Sequence, residues 1–247
     1  MAHPRQGEIR AFRAKQLGCD AHALGVPGTT VVTSTSRLFG RIDVLRHGDA
    51  SIVTIHPCLA AFVQRAIARL TEPRGIGAAE LATGTGEVVL QLLPETEIYY
   101  LSPDRFCRTE HAAVRRLTSE DADAFDDFLS RCASTDRAIV EMFLSDALVM
   151  GAFVNRELAS CASLVFRDSD IADLGVLTRD DYRSHGLARG VVSALCGWCA
   201  EHDVILQYEV ATWNVASRRL AQSLGLVLFA VEEVAIIPVH PLFGPRV

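Results

Sequence analysis

Between Asp173 and Glu201 the chain reads DLGVLTRDDYRSHGLARGVVSALCGWCAE, an apolar strand that passes through Arg-x-x-Gly-x-Ala straight into a helix. This segment constrains the fold most tightly, because strand, turn and helix start must meet within a few residues. Leu174 to Thr178 is a short apolar run with β-branched members, closed by the charged turn Arg179-Asp180-Asp181. Gly186 lets the backbone approach a ligand closely, and the first amides of the next helix have no intrahelical acceptor. Those amides and the helix dipole make an anion site, with Arg183 as a cation beside it. The expected chemistry is phosphate cradling.

The 247 residues suit one large domain or two modest ones, and 49% hydrophobic against 22% charged residues is the balance of a chain that buries a core. The net charge of −6 comes without a basic face, which argues against nucleic acid as the main partner and is compatible with an amine substrate. No apolar run reaches the roughly 18–20 residues of a membrane span. The first residues, MAHPRQGEIRAFRAKQ, lack the apolar centre of a secretory signal, so the expected compartment is the cytoplasm. Lys15 is the one lysine among many arginines, which suggests a GC-rich bacterial source.

Seven scattered cysteines with no export signal are expected to stay reduced. The close pair Cys196-Gly-Trp-Cys199 lacks the second pair or nearby histidines that would complete four ligands. It sits in a helix whose inward positions are Val191, Val192, Leu195 and Trp198, so the thiols read as core and no metal is expected.

Along the chain, a helix near Glu8–Leu17 precedes a strand at Thr30–Thr33. A hairpin of Arg41–Leu45 and Ser51–Ile55 turns at His47-Gly48-Asp49. Pro57 opens a helix through Leu70 with Leu59, Phe62, Val63 and Ile67 at helical spacing, and Thr71-Glu72-Pro73-Arg74-Gly75 breaks it. Glu80-Leu-Ala-Thr-Gly-Thr-Gly-Glu87 is similar to a methyltransferase glycine loop but lacks its first glycine, and is read as a plain loop. A strand at Glu97–Leu101 leads to a boundary at Ser102-Pro103-Asp104. Val114–Leu117 then alternates as a strand, and Thr118-Ser119-Glu120-Asp121 caps the helix of Phe125, Phe128 and Leu129. A short helix, a hairpin of Leu148–Val154 with Leu158–Phe166, the phosphate unit, strand Val204–Thr212, helix Asn214–Leu224 and strand Leu226–Ile237 complete the order.

That order, with VRRLTSEDADAFDDF as opening strand and helix, the Asp173 segment, and EVATWNVASRRLAQSLGL as closing strand and helix, resembles the GNAT superfamily of acyl-CoA-dependent N-acyltransferases. The resemblance runs from Ala113 onward, and the layout looks like bacterial members with an extra N-terminal region. It implies an α/β (α+β) fold: a mixed, centrally splayed sheet flanked by helices (residues 108–247), preceded by a smaller accessory α/β domain (1–107) that covers one face and helps build the acceptor pocket.

The resemblance also implies roles. Backbone groups of Val176, Leu177 and Thr178 would pair with the pantetheine arm of acetyl-CoA. Arg183 and the amides of Ser184, His185, Gly186, Leu187 and Ala188 would hold the pyrophosphate. Asn214 would bond toward the cofactor or brace its helix, with Ser217 near the thiol. The amide of Val176 or Leu177 could polarise the carbonyl, and Glu209, then Asp173, are the candidate bases, with a water chain as another route. Family members that place a tyrosine seven residues after Asn214 protonate the thiolate with it; here Ala221 stands there, leaving the task to Ser217, a water or another group. Tyr208 and Trp213 flank Glu209 and read equally as pocket wall or core. The expected acceptor is a small-molecule or peptide amine, with no nucleic-acid or membrane partner and a homodimer left open. The competing reading is an acyl-CoA-binding sensor without useful turnover.

Overall fold

The computed structural model describes residues 3–70, 74–86 and 90–237. The predicted break at Thr71–Pro73, Glu87 at the end of the glycine-bearing run, and positions 238–247 of the predicted C-terminal domain lie outside the described residues.

In chain order the elements begin with α1 (Gln6–Leu17), β1 (Gly28–Thr33), β2 (Arg41–His47), β3 (Ala50–Ile55), α2 (Ala60–Ile67), α3 (Ala78–Gly84), β4 (Gln91–Leu92) and β5 (Thr96–Leu101). Then come β6 (Val114–Arg116), α4 (Ala122–Arg131), α5 (Ser134–Ile139), β7 (Leu148–Val154), β8 (Glu157–Phe166) and β9 (Ile171–Thr178). The last are α6 (Leu187–Glu201), β10 (Ile205–Ala211), α7 (Val215–Ser223) and β11 (Leu226–Ile236). The described residues divide into two compact units. One takes those within Met1–Ile98, Ala211–Trp213 and Phe229–Val247, the other those within Tyr99–Val210 and Asn214–Leu228.

In the first unit β1 lies parallel to β3, β3 antiparallel to β2 across the expected hairpin, and β2 antiparallel to the Val231–Ile236 part of β11. Ile42, Val44, Val53 and Ile55 pack with Val63 of α2 and Leu81 of α3. The helix expected from Pro57 opens as a tight 3-10 turn at Pro57–Leu59, because the His56 ring caps it by accepting from the Cys58 amide at 3.4 Å. Its α-helical part stops at Ile67.

The loop reading of Glu80–Glu87 is wrong over the described residues, where Ala78–Gly84 is helix α3. Glu80 accepts from the Gly77 amide at 2.5 Å, half of a capping box, while Ala78 and Leu81 enter the core. Gly84 is there for proximity. A Cβ would lie 2.5 Å from the Ala66 carbonyl oxygen, so the glycine lets α2 and α3 touch backbone to backbone.

The second unit is a mixed sheet: β6, β7, β8 and β9 are successively antiparallel, and β10 joins β9 in parallel. Helices cover both faces. Phe125 and Phe128 of α4 pack on Val149, Cys161 and Leu177. On the other face α6 presents Leu187, Val191, Val192, Leu195, Cys196 and Cys199, at helical spacing, to Leu174, Leu206, Tyr208 and Val210. The predicted cap forms: Thr118 accepts from Glu120, and Asp121 returns by accepting from the Thr118 amide at 2.9 Å. β9 starts three residues before Leu174, since Ile171, Ala172 and Asp173 are held between β8 and β10.

Candidate active site

β9 and β10 pair only at Ile171↔Ile205, Ala172↔Leu206 and Asp173↔Gln207, yet β9 continues to Thr178 and β10 to Ala211. The two strands therefore part beyond Asp173 and Gln207. On its other side β9 stays paired with β8 through Thr178. The Arg179 amide donates to the Ala159 carbonyl and the Arg167 amide to the Ile171 carbonyl, which sets the phase of that ladder. Odd-numbered residues of β9 bond β8, so the peptide groups of Leu174, Val176 and Thr178 point to the unpaired side. Those of Leu177 belong to the ladder, and its carbonyl also accepts from the Ser160 hydroxyl at 3.0 Å.

The chain leaves β9 through a tight turn at Asp180–Tyr182 and enters α6 at Gly186. Ser184 (φ 65°) and Gly186 (φ 78°) are both left-handed, the second so open that a Cβ would meet nothing within 4 Å. No side chain caps α6. Its first amides thus form a concave, electropositive start of the kind that holds phosphate oxygens. The His185 ring turns back to the Arg183 carbonyl at 2.8 Å, so it shapes the turn. Arg183, the cation expected beside this start, is held by carboxylates: its guanidinium meets Asp136 at 2.6 Å and Asp180 at 2.7 Å, while remaining 54% exposed.

The two candidate bases come together through a residue that sequence reasoning missed. Gln207 is buried, and its amide nitrogen donates to Asp173 at 2.6 Å and to Glu209 at 3.1 Å. Its oxygen accepts from the Tyr100 hydroxyl at 2.6 Å, which fixes the amide's orientation. Asp173 also pairs with Arg167, and that bond pushes the guanidinium's pKa up. Glu209 is exposed, two residues past the last β9–β10 pair. The period-two pattern of a strand could have pointed to Gln207, because it shares a face with Glu209.

Residues 110–229 match the GNAT acetyltransferase family model. This segment is a GNAT acetyltransferase domain. Among solved structures, a GNAT-family acetyltransferase from Colwellia psychrerythraea shares the fold, with a TM-score of 0.53 at 14% identity over 74% of this chain and 76% of its own. A GCN5-related N-acetyltransferase from Kribbella flavida gives 0.47 at 14% identity over 68% and 66%. No curated protein sequence matches the chain.

Within the GNAT domain, Asn214 braces its helix: its side-chain oxygen accepts from the Ser217 amide at 3.1 Å and caps α7. Ala221 is buried one turn beyond Ser217. Tyr208 is core, and burial pushes its hydroxyl up. Trp213, read equally as core or pocket wall, is exposed. Cys196 and Cys199 are fully buried; burial pushes both thiols up, that of Cys199 to about 12. Among the described residues no three His, Cys, Asp or Glu side chains gather as a metal site, and no helix is long and apolar enough to cross a membrane.

Proposed function

We propose that the chain transfers an acetyl group from acetyl-CoA to an amine by direct attack in a ternary complex. The observation that carries this reading is the parting of β9 from β10 immediately before an uncapped helix start. One path along β9 thus has open peptide groups at one end and an anion cradle at the other. The residues fit the donor: the outward groups of Val176 and Thr178 would take the pantetheine amides, and the turn from Ser184 to Ala188 the pyrophosphate. Arg183 would exchange its two carboxylates for phosphate oxygens. Acetyl-CoA supplies the thioester carbonyl.

The amine enters from the face of Asp173, Gln207 and Glu209. The Val176 amide polarises the carbonyl oxygen, Leu177 being spent on the ladder. Glu209, steered by Gln207, accepts the ammonium proton, and Asp173 with Arg167 holds Gln207 in place. The acceptor is a small-molecule or peptide amine, and the setting is a bacterial cytoplasm. Residues 1–107 act as an accessory domain.

The test is calorimetry with acetyl-CoA alongside thiol release over a panel of amines. Absence of CoA binding sinks the reading. Glu209→Gln should leave binding intact and lower turnover about 100-fold; unchanged turnover removes Glu209 from the mechanism. Buried Ala221, which carries no proton, favours a second reading as an acyl-CoA sensor. Tight binding without amine-dependent thiol release would support it.

A further inference from the structure

We propose that His47 is an acid-sensitive latch: its neutral ring fastens α1 to the strands β2 and β11, and a proton on the ring loosens that helix. All the parts belong to the first compact unit. The sequence marks His47 as the start of the hairpin turn. The β2–β3 ladder instead runs on to pair His47 with Ala50, and the imidazole is spent on α1 and β11. Its ring is half-buried, and both nitrogens are used. Nδ1 lies 2.6 Å from the Phe229 carbonyl oxygen, and Nε2 lies 3.3 Å from the Arg10 guanidinium and 3.3 Å from the Gln6 amide nitrogen.

A carbonyl only accepts and a guanidinium only donates, so Nδ1 carries the hydrogen and Nε2 offers its lone pair. The Phe229 ring stacks on the imidazole with centroids 4.2 Å apart, which holds its plane. Arg10 is confined in turn. Its Nε is buried without a hydrogen-bond partner, and its Nη1 comes so near Gly25 that a Cβ there would lie 2.9 Å away. A proton on Nε2 would turn the one acceptor into a donor facing two others, and would set a positive charge beside Arg10. Ile9 and Phe12 still anchor α1 in the core, so the result is a local opening of the helix and not unfolding of the unit.

The other ionisable groups around the ring are engaged elsewhere. On α1, Arg13 lies a turn beyond Arg10 and bonds Gln16, while His3, ahead of the helix, accepts from the Arg5 amide. β11 brings Glu232, opposite Leu45 on the ring's face of the sheet, and β2 brings Asp43, taken by Arg37 and Arg41. Arg46 and Glu233 pair with each other, and β3 brings the apolar Ala50. Arg10 is the charge that acts on the ring. Burial lowers the ring's pKa most, the Phe229 carbonyl raises it and Arg10 lowers it again, for a net fall. The folded value therefore lies below the unfolded value of about 6.5, so the latch is complete above that pH and is lost as pH falls through the folded value.

The test is amide hydrogen exchange over Gln6–Leu17 in the full chain, with rates corrected for the intrinsic effect of pH and α2 of the same unit as the reference. Between about pH 7.5 and about pH 5, opening of α1 relative to α2 should rise roughly ten-fold, the effect of one unit of pKa difference. His47→Gln, which cannot titrate, should abolish the rise. Arg10→Gln keeps the ring and replaces a group that only donates by one whose oxygen can accept from a protonated Nε2, so it should lose most of the rise. No rise in the unaltered chain overturns the proposal. An undiminished rise in His47→Gln also overturns it and assigns the acid response to His3 or to a carboxylate. Should loss of the ring prevent folding, Arg10→Gln decides alone: a rise equal to that of the unaltered chain removes the latch.

Discussion

Among the described residues two helices begin at a glycine, α3 after Gly77 and α6 after Gly186, and they treat the same physics in opposite ways. A helix start offers several amides without acceptors and the positive end of a dipole. At α3 the protein supplies its own anions. Glu80 accepts from Gly77 at 2.5 Å, and Glu233, reaching in from β11, accepts from Ala78 at 2.6 Å while also holding Arg46. At α6 no side chain arrives, and the left-handed Ser184 and Gly186 hold the amides open. The glycines do not distinguish a structural helix start from a binding one. The carboxylates do: one anion is built in, and on the proposed reading the other is the pyrophosphate of the bound donor.

The largest effect should come from emptying the filled site. Glu233 is 4% exposed, so Glu233→Ala leaves the buried Ala78 amide without an acceptor and Arg46 without its partner. Urea unfolding should show a loss of about 3 kcal/mol. A loss below about 1 kcal/mol would mean that water replaces the carboxylate and that the two helix starts differ less than they look. Arg183→Ala probes the open site in the converse way. Calorimetry should show CoA binding weakened by about 1–3 kcal/mol, while unfolding changes little, because the ion pairs of Arg183 are exposed.

This contrast also separates what was legible in the sequence from what was not. The order of strands and helices from Val114 onward follows from periodicity and from the Thr118 cap, and the turn through Gly186 into α6 follows from the glycine and the apolar spacing beyond it. These features are local. Helix α3 escaped because two of its causes are remote in sequence: Glu233 at its start, and Ala66 against Gly84. Gln207 escaped likewise, since its importance lies in touching Tyr100 and Asp173 on other strands. The pairing of Arg183 with Asp136 is invisible for the same reason, since the two lie 47 positions apart. Cross-strand partners are where a single sequence falls silent.

A third helix start sharpens the built-in case through pH. At α4, Arg115 at 2.5 Å and the Thr118 amide hold the Asp121 carboxyl down to about 2. The folded value lies below the unfolded value of about 3.9, so the contribution is complete above pH ~4 and lost as pH falls toward 2. Asp121→Asn should cost about 1 kcal/mol at neutral pH. Its unfolding free energy should then fall less steeply than that of the unaltered chain between pH ~4 and ~2. Parallel acid limbs in the two proteins would show that the cap does not depend on the charge.

The smallest expected change lies at the open site, where Asp136 occupies the cation that phosphate would need. If the helix start awaits an external anion, Asp136 competes with that anion for Arg183, and its removal should favour binding. Exposed pairs of this kind are worth about 0–1 kcal/mol. Asp136→Asn should therefore tighten CoA by up to about five-fold at low salt, with the gain shrinking as salt screens the pair. Stability should stay within about 0.5 kcal/mol, since Asp180 still holds the guanidinium at 2.7 Å. Weaker binding in Asp136→Asn would reverse the argument: Asp136 would then be positioning Arg183 for the phosphate, and the open helix start would also rest on a carboxylate of its own.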